Sequence, residues 1–439
     1  MLCRLFYLLL MLKGLLLTRK HAMLTPMSEI TIHSASWLSN PGRTPLAGGA
    51  VAVRDGRILA VGSAAELTQQ FGAASMLSHP GCVLLPGFVN AHTHLELTRF
   101  PAWRLKGGLD YHPRGFVDWI VQMVKVRRGV APDDVPRSLA DGIAACLRSG
   151  TTCVGDIVTQ PELLAVYRQS GIAGQLFLEL IGQDMQVFAP RLHKALEALD
   201  SYQGSQSLAL SPHAPYTLSA AVLPAITEAV AGRNCRVSLH LAESPDEDRF
   251  LFDSGGPLAE QLYPLVGWGD YLPPVRKTSP TSWFDQAGLL GPRTLAVHCV
   301  QLTPADATIL KQRGCTICLC PRSNEQLAVG AAPVHLFNKL ELPLCIGTDS
   351  LASNDSLSLW DELRFALDCY RRELGPEQLL RMATTGGALA LGLEAAVGVL
   401  EPGRRADLQV VELEGECTAE RLLERGRLRQ VLLAGQVVV

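Results

Sequence analysis

Between residues 86 and 397 the chain repeats one pattern: a short apolar, strand-like run followed by a stretch with helical spacing. Eight such runs lie at residues 87–94, 151–158, 174–180, 208–213, 236–240, 294–298, 316–320 and 344–349. Amphipathic segments separate them, for example 135–148, closed by Gly150, and 357–371, preceded by Asn354 and Asp355 as capping residues. Strands alternating with helices bury both faces of a parallel sheet, and eight of them is the count that closes into a barrel. The predicted fold is α/β, a distorted (β/α)8 TIM-like barrel over residues 86–397.

The two ends of the chain read differently. Ile30 and Ile32 alternate with polar neighbours, and residues 50–54, the Asp55-Gly56 turn and residues 58–61 form a hairpin signal. Short β-like runs return at 406–411, 431–433 and 437–439. The expected arrangement is a small composite β-sandwich domain built from residues 27–85 and 398–439, interrupted by the barrel. Residues 1–26 fit neither part. The apolar run from Leu5 to Leu12 is broken by Lys13-Gly14, too short for a membrane span of about 20 residues. It also lacks a small-residue cleavage site. Folding is expected to begin near Met27, with a membrane anchor disfavoured.

A formal net charge of −3 with scattered Lys and Arg gives no electrostatic footprint for nucleic acid, so a small-molecule substrate is expected. Of twelve cysteines, several sit inside apolar runs, as buried small hydrophobes do. Cys315, Cys318 and Cys320 lie close together, but no second Cys or His pair stands at zinc-finger distance, and a buried strand is the better reading. Free thiols in this number fit a reducing, cytoplasmic setting.

Four strings carry the chemistry: His92-Thr93-His94, His240, His298 and Asp349, each at the end of an apolar run. Barrel active sites sit at the C-terminal ends of the strands. Imidazoles and a carboxylate arriving there singly can gather around one divalent ion, which turns water into a nucleophile near neutral pH. Such ligands suit Zn²⁺, the expected ion, and also Fe²⁺ or Mn²⁺. The pattern points to a metal-dependent hydrolase or deaminase. Taken singly, His92 and His94 read as hydrogen-bonded core histidines and His298 as an ordinary strand-end residue. Glu243, followed by Asp246, Glu247 and Asp248, reads alone as part of a solvated acidic loop. The joint pattern favours a site. His21, His33, His79, His112, His193 and His335 lack such context and are expected to be structural or surface residues.

Pro86-Gly87-Phe88-Val89-Asn90-Ala91-His92-Thr93-His94, Ser211-Pro212-His213-Ala214-Pro215-Tyr216, His240-Leu241-Ala242-Glu243, Val297-His298-Cys299 and Gly347-Thr348-Asp349-Ser350 together resemble the amidohydrolase superfamily. The resemblance runs from Met27 to the end and is nearest to its mononuclear deaminase branch. It implies His92, His94, His240 and Asp349 as ligands of one metal ion, and His298 as the residue that orients or polarises the attacking water. It implies Glu243 as the proton shuttle to ring nitrogen and leaving amine, with Asp349 accepting the water's proton. The fourth run ends in Leu210-Ser211-Pro212-His213 without the lysine of dinuclear members, which favours one metal; His213 is then a substrate contact. By analogy a homodimer is expected.

The strings His94-Leu95-Glu96-Leu97, Cys320-Pro321-Arg322-Ser323-Asn324 and Ser353-Asn354-Asp355-Ser356-Leu357 look closest to proteins grouped with aminodeoxyfutalosine deaminase, a step of menaquinone synthesis. That substrate adds a benzoate to an adenine nucleoside. Arg322, with Arg104 or Arg128 as alternatives, is expected to pair with its carboxylate, and Glu96 to face the pocket. Surface salt bridges are the competing account of each arginine. S-adenosylhomocysteine deaminases carry an acid near Arg127-Arg128 and tend to carry an arginine where this chain has Glu179; both departures argue against that substrate. Trp103, Tyr111, Phe116 and Trp119, in the loop over residues 96–128, either stack on a nucleobase or pack the loop. The alternatives are a methylthioadenosine/S-adenosylhomocysteine or guanine deaminase, another C–N or C–Cl hydrolase of the superfamily, or, least favoured, a non-catalytic scaffold.

Overall fold

A computed structural model describes residues 29–107 and 113–439. The expectations placed on residues 1–26, the start at Met27, His21, Tyr111 and His112 lie outside the described residues. Eight parallel strands form the barrel: β1 (Phe88–Thr93), β2 (Thr151–Val158), β3 (Ala173–Leu180), β4 (Ser207–Pro212), β5 (Val237–Leu241), β6 (Thr294–His298), β7 (Thr316–Leu319) and β8 (Leu344–Ile346). Each is hydrogen-bonded to the next in chain order. Their side chains alternate. Val89, Ile157, Phe177, Ala209, Val297 and Cys345 fill the interior, while Val154, Leu176, Leu178 and Leu239 pack outward against the helices.

Closure of β8 onto β1 shapes the site. β8 is only three residues long, shorter than the 344–349 run, because the chain turns inward after Ile346. Asn90 and Thr348 exchange two hydrogen bonds of 2.7 and 3.1 Å, and the Asp349 amide donates to the His92 carbonyl at 3.1 Å. Gly347 is obligatory, since a Cβ there would lie 2.7 Å from that carbonyl oxygen. This seam holds Asp349 beside the first-strand histidines.

Among the described residues, strands from 31–86 and from 408–437 meet in one separate eight-stranded sheet. Its central strand, Ser75–Pro86, runs parallel to Thr31–Leu38 and antiparallel to Leu408–Glu412, joining the N-terminal strands to the C-terminal ones. One face buries Val51, Leu84, Leu408 and Leu432; the other packs Ile32, Ala50 and Ala52 against Leu67 of the helix Ala64–Gln70. The barrel starts two residues after this sheet ends.

The described cysteines are all free. Burial pushes the Cys315 and Cys320 thiols up to about 12, so they stay protonated as parts of the barrel wall rather than acting as ligands. Among the described residues no helix is long and apolar enough to cross a membrane.

Candidate active site

His92, His94 and His240 bring one nitrogen each to within 4.8 Å of one another at the C-terminal mouth of the barrel. His94 Nε2 and His240 Nε2 are 3.2 Å apart. Burial, with His92 alongside, pushes His94 down to about 3, and burial takes His240 well below its ordinary range. The two rings thus face each other uncharged, as two ligands of one cation would. His240 Nδ1 sits 3.0 Å from the His213 carbonyl, which fixes the N–H there and leaves Nε2 free to ligate. His92 is 0% exposed with no hydrogen-bond partner for either ring nitrogen. A buried orphan of this kind is what a missing ligand would explain. Asp349 Oδ1 lies 3.7 Å from His92 Nε2 and 3.6 Å from His94 Nε2. Its Oδ2 accepts hydroxyls from Ser323 and Ser353, both at 2.7 Å, which turns Oδ1 toward the histidines. These donors fit one divalent ion.

The acid–base groups stand beside that cluster. His298 Nε2 is 3.6 Å from Glu243 Oε1, and His298 Nδ1 lies 2.9 Å from Asn324 Oδ1. Burial lowers His298 to about 4. Burial, reinforced by the Asp349 and Glu247 carboxylates, raises Glu243 well above the usual carboxylate range, which favours its protonated form. Glu243 is placed by a bend. Ala242 adopts φ +49°, and the Glu247 carboxylate accepts the amides of Ala242 (3.1 Å) and Glu243 (2.8 Å). His298, Cys299 and Asp349 also have positive φ, at +69°, +52° and +58°. Backbone strain of about 1–3 kcal/mol per residue thus gathers at the ends of β5, β6 and β8.

His213 joins the cluster, its ring 4.7 Å from that of His240 and its Nδ1 3.1 Å from Thr217 Oγ1. Glu96 lies at the edge of the mouth, buried, and bound by Arg127 at 2.8 Å and by the Thr159 hydroxyl. The Arg322 guanidinium donates to Asp355 and, at 3.1 Å, to Asn354 Oδ1, and lies 3.8 Å from Glu362, contacts that brace the loop after Asp349. Arg128 donates to the Leu265 carbonyl at 3.1 Å. The loop aromatics pack the loop: Phe116 meets Trp119 and Tyr216, Trp119 donates to the Ala352 carbonyl, and Trp103 lies under Arg127.

Several supporting residues were missed in the sequence. Asp156, on β2, accepts the Thr93 hydroxyl at 2.6 Å and the Leu95 amide at 2.8 Å, fixing the turn that carries His92 and His94. An acid inside an apolar strand run was the available signal. Ser323, Asn324 and Ser353 fell within quoted strings, but nothing in the string tells which side chain each one touches.

The amidohydrolase family model matches residues 83–438, and a short imidazolonepropionase-like composite-domain match covers residues 49–74 of the terminal sheet. The chain is 31% identical over 377 residues to a 5-methylthioadenosine/S-adenosylhomocysteine deaminase of Syntrophobacter fumaroxidans, covering 83% of this chain and 80% of the relative. It is 30% identical to the aminodeoxyfutalosine deaminase of Deinococcus radiodurans, covering 79% and 81%. Among solved structures, a zinc-bound adenosine deaminase from Xanthomonas campestris aligns at 29% identity with TM-score 0.78, covering 93% and 92%. The aminofutalosine deaminase of Helicobacter pylori shares the fold, with TM-score 0.80 at 24% identity, covering 93% and 100%. The chain belongs to the amidohydrolase family.

Proposed function

We propose that this chain is a metal-dependent hydrolytic deaminase of an adenine-type nucleoside or a related aminated heterocycle, with aminodeoxyfutalosine as the first substrate to try. The observation that carries this reading is the juxtaposition of His92, His94 and His240 within 4.8 Å with a buried Glu243, its pKa raised by burial, next to His298. Relatives named for adenine-nucleoside deamination support the substrate class.

His92, His94, His240 and Asp349 would hold one divalent ion, Zn²⁺ first, as in the Xanthomonas structure. Bound there, the ion lowers the pKa of water toward neutrality and stabilises charge developing at the attacked centre. Glu243 holds the proton destined for the ring nitrogen, and a buried carboxyl with a raised pKa suits that task at neutral pH. His298, its Nδ1 tied to Asn324, turns Nε2 toward the attacking water and orients it. Asp349 would take the water's proton while also a ligand of the ion, and that proton leaves with the amine as ammonia. His213 contacts the ring, and Glu96 and Arg127 shape the wall beside it.

The test is ammonia release from a panel of adenine nucleosides, free purines, pterins and triazines. Release from an adenine nucleoside is expected, with Glu243→Gln retaining metal while losing about 10²–10⁴-fold in turnover, the usual span for a general acid. Product without ammonia, such as chloride, defeats the deaminase assignment.

A further inference from the structure

We propose that Glu247 is a positioning residue that aims the Glu243 carboxyl at the reacting ring. It acts by clamping the backbone on which Glu243 stands. The proposal rests on the functional reading above for what Glu243 does once it is aimed.

Ser244-Pro245-Asp246-Glu247 has the form of a capping box, in which the last residue's carboxylate returns to the amide of the first. Half of that box is built. The Ser244 hydroxyl accepts the Glu247 amide at 3.2 Å and caps the helix Pro245–Asp253. The other half is redirected. The Glu247 carboxylate reaches past Ser244, with Oε1 accepting the Ala242 amide and Oε2 the Glu243 amide. Glu247 is fully buried, and the charged group in its field is another carboxylate, Asp248. Burying a carboxylate away from any cation is costly, and a helix cap does not require it, since an exposed one would serve. What the buried position achieves is a grip on the residue that carries the acid.

The gripped segment is strained and is held from its other side as well. Ala242 sits at φ +49°, which an alanine keeps only when its surroundings over-determine it. The Leu241 and Ala242 carbonyls accept the amides of Cys299 at 3.0 Å and Gln301 at 2.8 Å. Those amides follow His298, so the loops bearing Glu243 and His298 are joined backbone to backbone. The helix Pro245–Asp253 is the fixed end, its Phe250 and Leu251 buried in one cluster with Phe116, Tyr216 and Tyr263. Glu247 ties Glu243 to that packed helix, and the 3.6 Å approach of Glu243 Oε1 to His298 Nε2 follows from where the two backbones are held. Without the carboxylate, two amides lose their acceptor and Ala242 is free to relax toward negative φ, which swings the Glu243 side chain off its line.

The test is a double-mutant cycle. Glu247→Ala and Glu247→Gln are each made in wild type and in Glu243→Gln, with kcat, KM, metal content and thermal midpoint read on every variant. In wild type, Glu247→Ala is expected to lower kcat about 10²-fold, the scale of a misplaced catalytic group, with KM within about threefold and metal unchanged. Glu247→Gln keeps one acceptor oxygen of the two and is expected to lower kcat about tenfold. In Glu243→Gln, where the acid is already gone, either change should cost less than about threefold. A merely structural glutamate would cost turnover equally in both backgrounds. Should Glu247→Ala fail to fold, the Glu247→Gln arm carries the same comparison. Independently of any substrate, hydrogen exchange of the Ala242 and Glu243 amides should quicken more than about tenfold in either Glu247 variant. Equal losses in both backgrounds, kcat within about twofold of wild type in Glu247→Ala, or unchanged exchange at those amides overturn the proposal. Turnover of a triazine without ammonia, with the same non-additivity, sustains the clamp and defeats the deaminase reading instead. A wild type inert toward the whole panel overturns both.

Discussion

Two histidine clusters in this chain look alike at the level of a single distance. In the barrel, His94 Nε2 and His240 Nε2 are 3.2 Å apart; in the terminal sheet, His33 Nδ1 and His79 Nε2 are 3.3 Å apart. Burial lowers His33 to about 4, the same value as His298. What separates them is the company. The barrel pair has His92 with two orphaned nitrogens, Asp349 turned toward it by two serines, and His240 fixed by a carbonyl. The sheet pair stacks at an interplanar angle of 5° across neighbouring strands, with no third ligand in its group among the described residues. Close, neutral imidazoles make a metal centre only when a third donor and a carboxylate converge on the same point and outer contacts fix the tautomers.

The sharpest way to break this contrast is to remove one histidine from each cluster. His240→Ala is expected to lose stoichiometric metal and about 10³-fold or more of activity, because the metal generates the nucleophile. His33→Gln should keep full metal and wild-type turnover. Elemental analysis and ammonia release on the same preparations decide it; metal retained in His240→Ala, or lost in His33→Gln, would collapse the distinction.

The sheet pair should instead show itself in stability. The unfolded chain binds a proton on His33 near its ordinary 6.5, the folded chain near 4. With the folded value the lower one, His33 contributes fully above about 6.5 and its contribution is lost as the pH falls toward 4. At about 1.4 kcal/mol per pKa unit, the loss reaches about 3 kcal/mol. Urea unfolding of wild type and His33→Gln between pH 7.5 and 4.5 measures it as the difference between the two pH slopes. Parallel slopes would remove His33 from the account.

The same contrast shows how far the sequence can be read. The eight barrel strands lie within a few residues of their apolar runs, because a strand buried on both faces has to be apolar throughout. The ligands were legible for the same reason, as polar residues ending such runs. The central strand of the terminal sheet, Ser75–Pro86, was not: its first half is largely exposed and polar, so it carries no periodic signal. Nor was the inward turn after Ile346, which depends on contact with β1, more than 250 residues away. Nor were the partners of Arg322, since Asp355 and Glu362 meet it only in the fold.

The smallest effect tests the outer contacts that distinguish the barrel cluster. His298 lies in both comparisons, with a lowered pKa like that of His33 but with Asn324 on its Nδ1. In the tautomer that donates from Nδ1 to the Asn324 carbonyl oxygen, Nε2 is left bare toward Glu243. Replacing Asn324 by alanine frees the ring to rotate and to exchange tautomers, so the water loses its orientation while the metal ligands are untouched. Loss of such an outer partner typically costs about 10–100-fold, so Asn324→Ala should lower kcat by that amount with metal content unchanged. Asn324→Asp, which keeps the acceptor and adds negative charge, should move the acidic limb of the pH–rate profile, where His298 gains its proton, to higher pH. If Asn324→Ala turns over like wild type, the tautomer of His298 is set by something other than Asn324, and the outer contact ceases to be what separates the two clusters.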